Sequence, residues 1–168
     1  MPFDVVSYAL AKKSLKVSTT LQTTLQILTE DVIAEDTGEY STTETTFTLI
    51  KQLPIEFGAL YGEPEGNMLI LTRVTCEIKS DGTNFGHVFA EMELYTEDGS
   101  SKYFGTNVAG SKLNIYSGAE CRWNTSPIYS WSQRPPNVRI KAKADAGQTF
   151  YVRNIKVWGI KARLIRKI

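Results

Sequence analysis

The chain of 168 residues is 42% hydrophobic, 22% charged and 11% aromatic, enough to bury one core without disulfides or metals to hold it. Its 19 Lys and Arg stand against 18 Asp and Glu, so no overall field recruits nucleic acid or an anionic membrane. No stretch approaches the roughly 18 apolar residues that span a bilayer. A secretory signal is not expected either, because Lys12 and Lys13 follow the weakly apolar residues 5–11 rather than precede them.

Residues 1–16 read as a short α-helix. Asp4 caps its first turn, and Val5, Val6, Ala9, Leu10 and Ala11 form an apolar stripe at helical spacing. Lys12, Lys13 and Lys16 sit where the helix dipole favours positive charge. So short a helix is marginal alone in water, and its stripe needs a partner: its own domain, a sister subunit or a larger assembly. Residues 17–24, rich in Ser, Thr and Gln, form a connector to a β domain over 25–168.

Residues 25–33 satisfy both a helical and a strand period, and their Thr-rich flanks favour strand. A turn at Asp36-Thr37-Gly38 leads into a strand over 39–51 dominated by β-branched threonines. Pro54 ends regularity, and 61–67 is a loop. The clearest pair follows. Residues 68–80 place Ile70, Val74, Cys76 and Ile78 on one face, and Asp81-Gly82 opens a turn. Residues 85–95 then alternate Val88, Ala90, Met92 and Leu94 against His87, Glu91 and Glu93.

A short strand at 102–104 precedes an irregular stretch over 107–136, with short strands at 112–116 and 120–123. Residues 137–146 alternate again, with Val138, Ile140, Ala142 and Ala144 inward. The last and longest strand, 149–165, meets a natural bulge position at Gly159. The sum is eight or nine antiparallel strands, a jelly roll or β-sandwich rather than βαβ units.

The chemical inventory is poor. One histidine, His87, lies on a wet strand face, and no nucleophile elbow, phosphate loop or dinucleotide fingerprint appears. Glu91 and Glu93 point the same way from one strand rather than facing each other across a substrate. The acidic pairs Glu30-Asp31, Glu35-Asp36 and Glu63/Glu65 match no cation loop. Cys76 and Cys121 have neither CxxC nor metal spacing, and Cys76 reads as a buried thiol; a bridge between the two stays open. The expectation is therefore a protein that is not an enzyme and takes no cofactor or metal.

Tyr116, Trp123, Tyr129 and Trp131 fall close together in the irregular stretch, beside Asn124, Gln133 and Arg134. Exposed rings with amides and a guanidinium make a sugar platform; alternatively these rings close one end of the sandwich. The C-terminal strand interleaves Lys156, Lys161, Arg163, Arg166 and Lys167 with apolar residues, which reads as a solvated face or a subunit contact.

The opening Phe3-Asp4-Val5-Val6-Ser7-Tyr8-Ala9-Leu10-Ala11-Lys12-Lys13 resembles the start of virion proteins of tailed phages and prophages, in which a short helix precedes a tail-fibre, head-fibre or decoration domain. The resemblance implies an attachment or assembly role for Val5, Val6, Ala9 and Leu10, and a homotrimer with the β domain exposed. No repetitive, Gly-rich shaft follows, which favours a compact decoration or capsid-attached protein over a long fibre. The expectation is a viral structural protein, located in the virion and partnered by its own copies and by capsid or tail proteins. The alternative is a carbohydrate-binding or receptor-binding module using the aromatic cluster on a surface glycan.

Overall fold

A computed structural model of the chain describes the backbone of residues 25–55, 67–95, 98–124, 128–130 and 136–164, with side chains over 30–55, 69–95, 98–124 and 136–160. The helix expected over 1–16 and the connector over 17–24 lie outside the described residues. Ten strands are described: β1 (Leu25–Thr42), β2 (Thr48–Pro54), β3 (Asn67–Ser80), β4 (Gly86–Tyr95), β5 (Ser101–Gly105), β6 (Ala109–Ser111), β7 (Ser117–Arg122), β8 (Ile128–Ser130), β9 (Asn137–Ala144) and β10 (Phe150–Leu164).

They form two antiparallel sheets. The first runs β1-β10-β3-β7, with β8 beside β7 on the same flank of β3; the second runs β2-β9-β4-β5, with β6 beside β5 on the same flank of β4. The chain crosses between sheets from β1 to β2, β2 to β3, β3 to β4, β6 to β7, β8 to β9 and β9 to β10. This is the doubled Greek key of a jelly roll.

The core lies between the sheets and follows the period-two pattern of the strands. Val88, Ala90 and Met92 of β4 and Val138, Ile140, Ala142 and Ala144 of β9 meet Leu69, Leu71, Val74, Cys76 and Ile78 of β3 and Phe150, Val152, Ile155 and Val157 of β10. Large and small residues interlock. Gly86 pairs with Ala144, and the Phe150 ring fills the space that a side chain at Gly86 would need.

Each end has its own plug. Gln148 is buried; it donates to the Phe85 carbonyl at 2.8 Å and accepts from the Asn84 amide at 3.1 Å, closing the turn between β3 and β4. At the crossing from β5 toward β7, Thr106 exchanges hydrogen bonds with Ala90. There the Trp123 indole, 6% exposed, donates to the Phe104 carbonyl at 2.8 Å.

The structure corrects several sequence expectations. Asp36-Thr37-Gly38 is no turn: β1 runs through it to Thr42, and the break falls between Thr42 and Thr48. Asp36 absorbs the irregularity by accepting from the Gly38 amide at 2.7 Å, so the strand bulges instead of reversing. Residues 112–116 are not a strand; the pairing falls on Ala109–Ser111 instead. In β3 the inward set is Leu69 and Leu71, then Val74, Cys76 and Ile78, with Ile70 half-buried on the opposite side. The parity changes where Trp158 and Gly159 pair with Arg73 and Leu71 and leave Thr72 unmatched. The basic strand β10 is central, flanked by β1 and β3.

Candidate functional site

β10 carries a second irregularity that the hydrophobic pattern marks: its buried residues are Phe150 and Val152, then Ile155 and Val157. Arg153 pairs with Glu77 and Lys156 with Thr75, so Asn154 and Ile155 together oppose Cys76 alone. On the other flank Asp36 pairs with Ile155 and Glu39 with Arg153, so Thr37 and Gly38 oppose Asn154. Asn154 takes up the strain in the left-handed region, with φ at 51°, a conformation in which asparagine is enriched among non-glycine residues. Bulges in neighbouring strands thus fall at one level and splay the first sheet.

The result is a cleft of about 370 Å³ whose polar lining is Glu35, Asp36, Thr37, Thr75, Glu77, Asn154 and Lys156, with Cys76 and Ile155 adding apolar surface. Its walls are braced before any ligand arrives. Glu77 accepts from Arg153 Nε at 2.7 Å, and this bond, with a further one from Asn154, holds its carboxyl below the usual range. Asp36 is held below its usual range by Lys51, whose Nζ lies 2.6 Å from the carboxylate. Tyr40 completes that cluster, its hydroxyl 3.0 Å from Asp36 and 2.7 Å from Lys51.

Aromatic residues pack against the cleft residues and their partners from outside the lining. Trp158 donates its indole N–H to Thr75 Oγ1 at 2.8 Å, and the Arg73 guanidinium sits 4.8 Å from its ring. The Arg153 guanidinium stacks 3.6 Å from the Tyr116 ring, and Lys79 lies between Tyr116 and Tyr151 at 4.9 and 4.4 Å. Tyr116 donates to Glu39 at 2.6 Å; burial and then this bond push its hydroxyl up to about 12. Arg73 ties the same face together, bridging Glu30 of β1 and Glu120 of β7 at 2.9 and 2.8 Å.

The four aromatic residues singled out in the sequence do not form one exposed platform. Tyr116 is strapped across the first sheet's outer face beside the cleft. Trp123 faces the core and anchors the end of the sandwich, which corrects its reading as a sugar-stacking ring. Tyr129 contributes backbone to β8, opposite Leu69; its side chain and the whole of Trp131 lie outside the described residues, as do Val5, Val6, Ala9 and Leu10. Sequence reasoning missed Glu35, Thr75, Glu77, Asn154 and Trp158 as a group. The one signal was the parity break between Val152 and Ile155.

The outer face of the second sheet is knit differently. Glu91 lies 2.9 Å from Lys141. Glu93 accepts from Tyr103 at 3.0 Å and Ser101 at 3.1 Å, and Asn137 reaches Tyr95 at 3.0 Å. Burial pushes the Glu93 carboxyl up, but these bonds and the Arg139 charge leave it below its usual value. His87 stacks on Phe85 with centroids 6.0 Å apart. Among the described residues no group of three or more His, Cys, Asp or Glu side chains could hold a metal ion, and no helix is long and apolar enough to cross a membrane.

No family model matches the chain, and no curated protein matches it. Several solved structures do. The C-terminal family 22 carbohydrate binding module of Clostridium thermocellum Xyn10B is 13% identical, with a TM-score of 0.40 over 86% of this chain and 88% of that one. The structure of infectious bursal virus derived T=1 particles is 8% identical, with a TM-score of 0.44 over 85% of this chain and 37% of that one. A carbohydrate binding module of family 29 is 12% identical, with a TM-score of 0.34 over 77% of this chain and 88% of that one. At such identities and scores the likeness extends neither to function nor to a site.

Proposed function

We propose that the chain is a structural protein of a virion, a capsid decoration or head- or tail-attached protein whose jelly roll is the exposed unit. The observation that carries this reading is the doubled Greek key, an architecture used by viral capsid domains, following a segment that resembles the attachment helix of phage virion proteins. Fold alone does not assign function; the junction of the two features within one chain supports the assignment. On this reading Val5, Val6, Ala9 and Leu10 assemble a homotrimer or fix it to capsid or tail, and the protein resides in the virion.

We read the protein as non-catalytic. What supports this is the engagement of its chemical groups: Glu91 with Lys141, Glu93 with hydroxyl donors, and His87 with Phe85. The test of the assembly role is solution mass by light scattering for the full chain and for residues 17–168. A trimer that falls to monomer on truncation supports it, and equal masses for the two forms reject residues 1–16 as the assembly element.

One observation favours a second, compatible reading, recognition of a surface glycan: the cleft on the first sheet lined by both hydrogen-bond donors and acceptors. Jelly rolls serve as lectin domains as well as capsid domains. Binding of soluble oligosaccharides by the purified chain tests this reading.

A further inference from the structure

We infer that the cleft on the outer face of the first sheet is a binding site for a neutral pyranose unit, with Asn154, Glu35 and Lys156 as its hydrogen-bonding groups. The inference rests on the glycan reading above and names its site and ligand class.

The lining selects the ligand by chemistry. Each sugar hydroxyl donates and accepts at once, so a saccharide site needs both kinds of partner within one small cavity. Here carboxylates at Glu35 and Glu77 accept, the Lys156 ammonium donates, and the Asn154 amide and the Thr37 and Thr75 hydroxyls do both. A phosphate or nucleic-acid backbone needs donors only and is repelled by the carboxylates. A hard cation needs converging oxygen ligands, and no such group occurs among the described residues.

Charge bookkeeping points to a neutral ligand. Asp36 is matched by Lys51 and Glu77 by Arg153. Glu35 and Lys156 remain, cross-strand partners in the register of β1 and β10, and they offset each other. The cleft therefore presents polarity without net charge. At about 370 Å³ it lies at the small end of the roughly 300–1,000 Å³ typical of ligand pockets, which suits one ring of a chain that continues outside.

The site is also organised in advance. Trp158 is pinned by its bond to Thr75, and Glu77 by Arg153, which Tyr116 covers in turn. Groups already held in place lose little freedom when a ligand arrives. The positive φ of Asn154 belongs to the same design, because the bulge that demands it also opens the cleft.

The test is isothermal titration of the full chain with neutral hexasaccharides of glucose, mannose and xylose, and with an acidic galacturonic hexasaccharide as comparator. The expected result is binding of at least one neutral hexasaccharide in preference to the acidic one. Asn154→Gly keeps the backbone conformation while deleting the amide, and should weaken binding about tenfold with an unchanged melting temperature. Glu35→Gln should weaken it similarly, and Tyr103→Ala on the opposite face should leave it unchanged. If the wild-type chain binds none of the neutral sugars, the glycan reading falls and the inference with it. If it binds but Asn154→Gly and Glu35→Gln bind equally well, or Tyr103→Ala abolishes binding, the cleft is not the site and the glycan reading stands. Preference for the acidic sugar overturns the neutral assignment.

Discussion

Tyr116 lies across the outer face of the first sheet and donates its phenolic hydrogen to Glu39 of β1, 2.6 Å away, with β3 and β10 between the strands the two residues border. The bond closes a loop of 77 residues and lays a ring over the Arg153 guanidinium. One side chain thereby braces the width of a sheet.

Removing that hydroxyl should be felt. Tyr116→Phe keeps the stacking on Arg153 and loses the bond to Glu39, for an expected cost of about 0.5–1.5 kcal/mol in urea unfolding. The pH dependence has a definite sign. The folded-state value, pushed up to about 12 from 10.0, means the bond's contribution is complete below about pH 10 and is lost as pH rises through the folded value. An alkaline absorbance titration should show a late-ionising phase that vanishes in Tyr116→Phe.

The two thiols should be inert in the folded protein. Both are free and buried, and burial pushes Cys76 up to about 12 and Cys121 up to about 11. Because the thiolate is the reactive form, Ellman's reagent at about pH 8 should label neither cysteine until guanidinium is added, and then both. Fast labelling of the native chain would contradict their burial.

Trp123 should behave as a core anchor. Trp123→Ala removes a large buried ring and the donor to Phe104, and should cost about 3–5 kcal/mol. Tyr103→Ala, at a residue 50% exposed, should change the urea midpoint far less. Equal midpoints for the two variants would return Trp123 to the surface.

Gly86→Ala places a methyl inside the Phe150 ring. Overpacking of a filled core costs about 1–3 kcal/mol or more, so the variant should melt well below the parent. Adding Phe150→Leu should recover part of the loss. If the second substitution only makes matters worse, the ring is not the obstacle.

Acid should loosen the first sheet's outer face and the edge of β1. Asp36 is held low by Lys51, Glu77 by Arg153, and Glu120 by Arg122 and then Arg73. Carboxyls depressed in the folded state stabilise it above their unfolded values near 4, and that contribution is lost as pH falls through the folded ones. The pairs are partly exposed, so each is modest. The melting temperature should fall between about pH 5 and pH 3, and added salt near pH 6 should reproduce a part of that fall. A flat profile would leave these pairs without a role in stability.

Much of the fold was legible because burial writes itself at period two. Val138, Ile140, Ala142 and Ala144 face the core as their alternation requires, and so do Val88, Ala90 and Met92. The register does shift at Gly159, as expected, but the extra residue there is Thr72 of β3 rather than one of β10. Less legible was anything set by pairing. Asp36-Thr37-Gly38 has turn composition, yet β10 continues alongside it and carries β1 straight through. Trp123 sits in loop-rich sequence like an exposed ring, yet the crossing between the sheets runs over it.

The alternation of apolar and polar residues, the short turns and the absence of helical period over most of the chain determined by themselves that this is an antiparallel sandwich with a mixed-charge surface. Those are local properties, carried by neighbours in the chain. The tertiary structure alone decided that β1 and β10 bulge at one level beside β3 and open a cleft, that Tyr116 meets Glu39, and that Trp123 turns inward. Each depends on register between strands far apart in the chain, where one extra residue in a single strand resets which side chains meet.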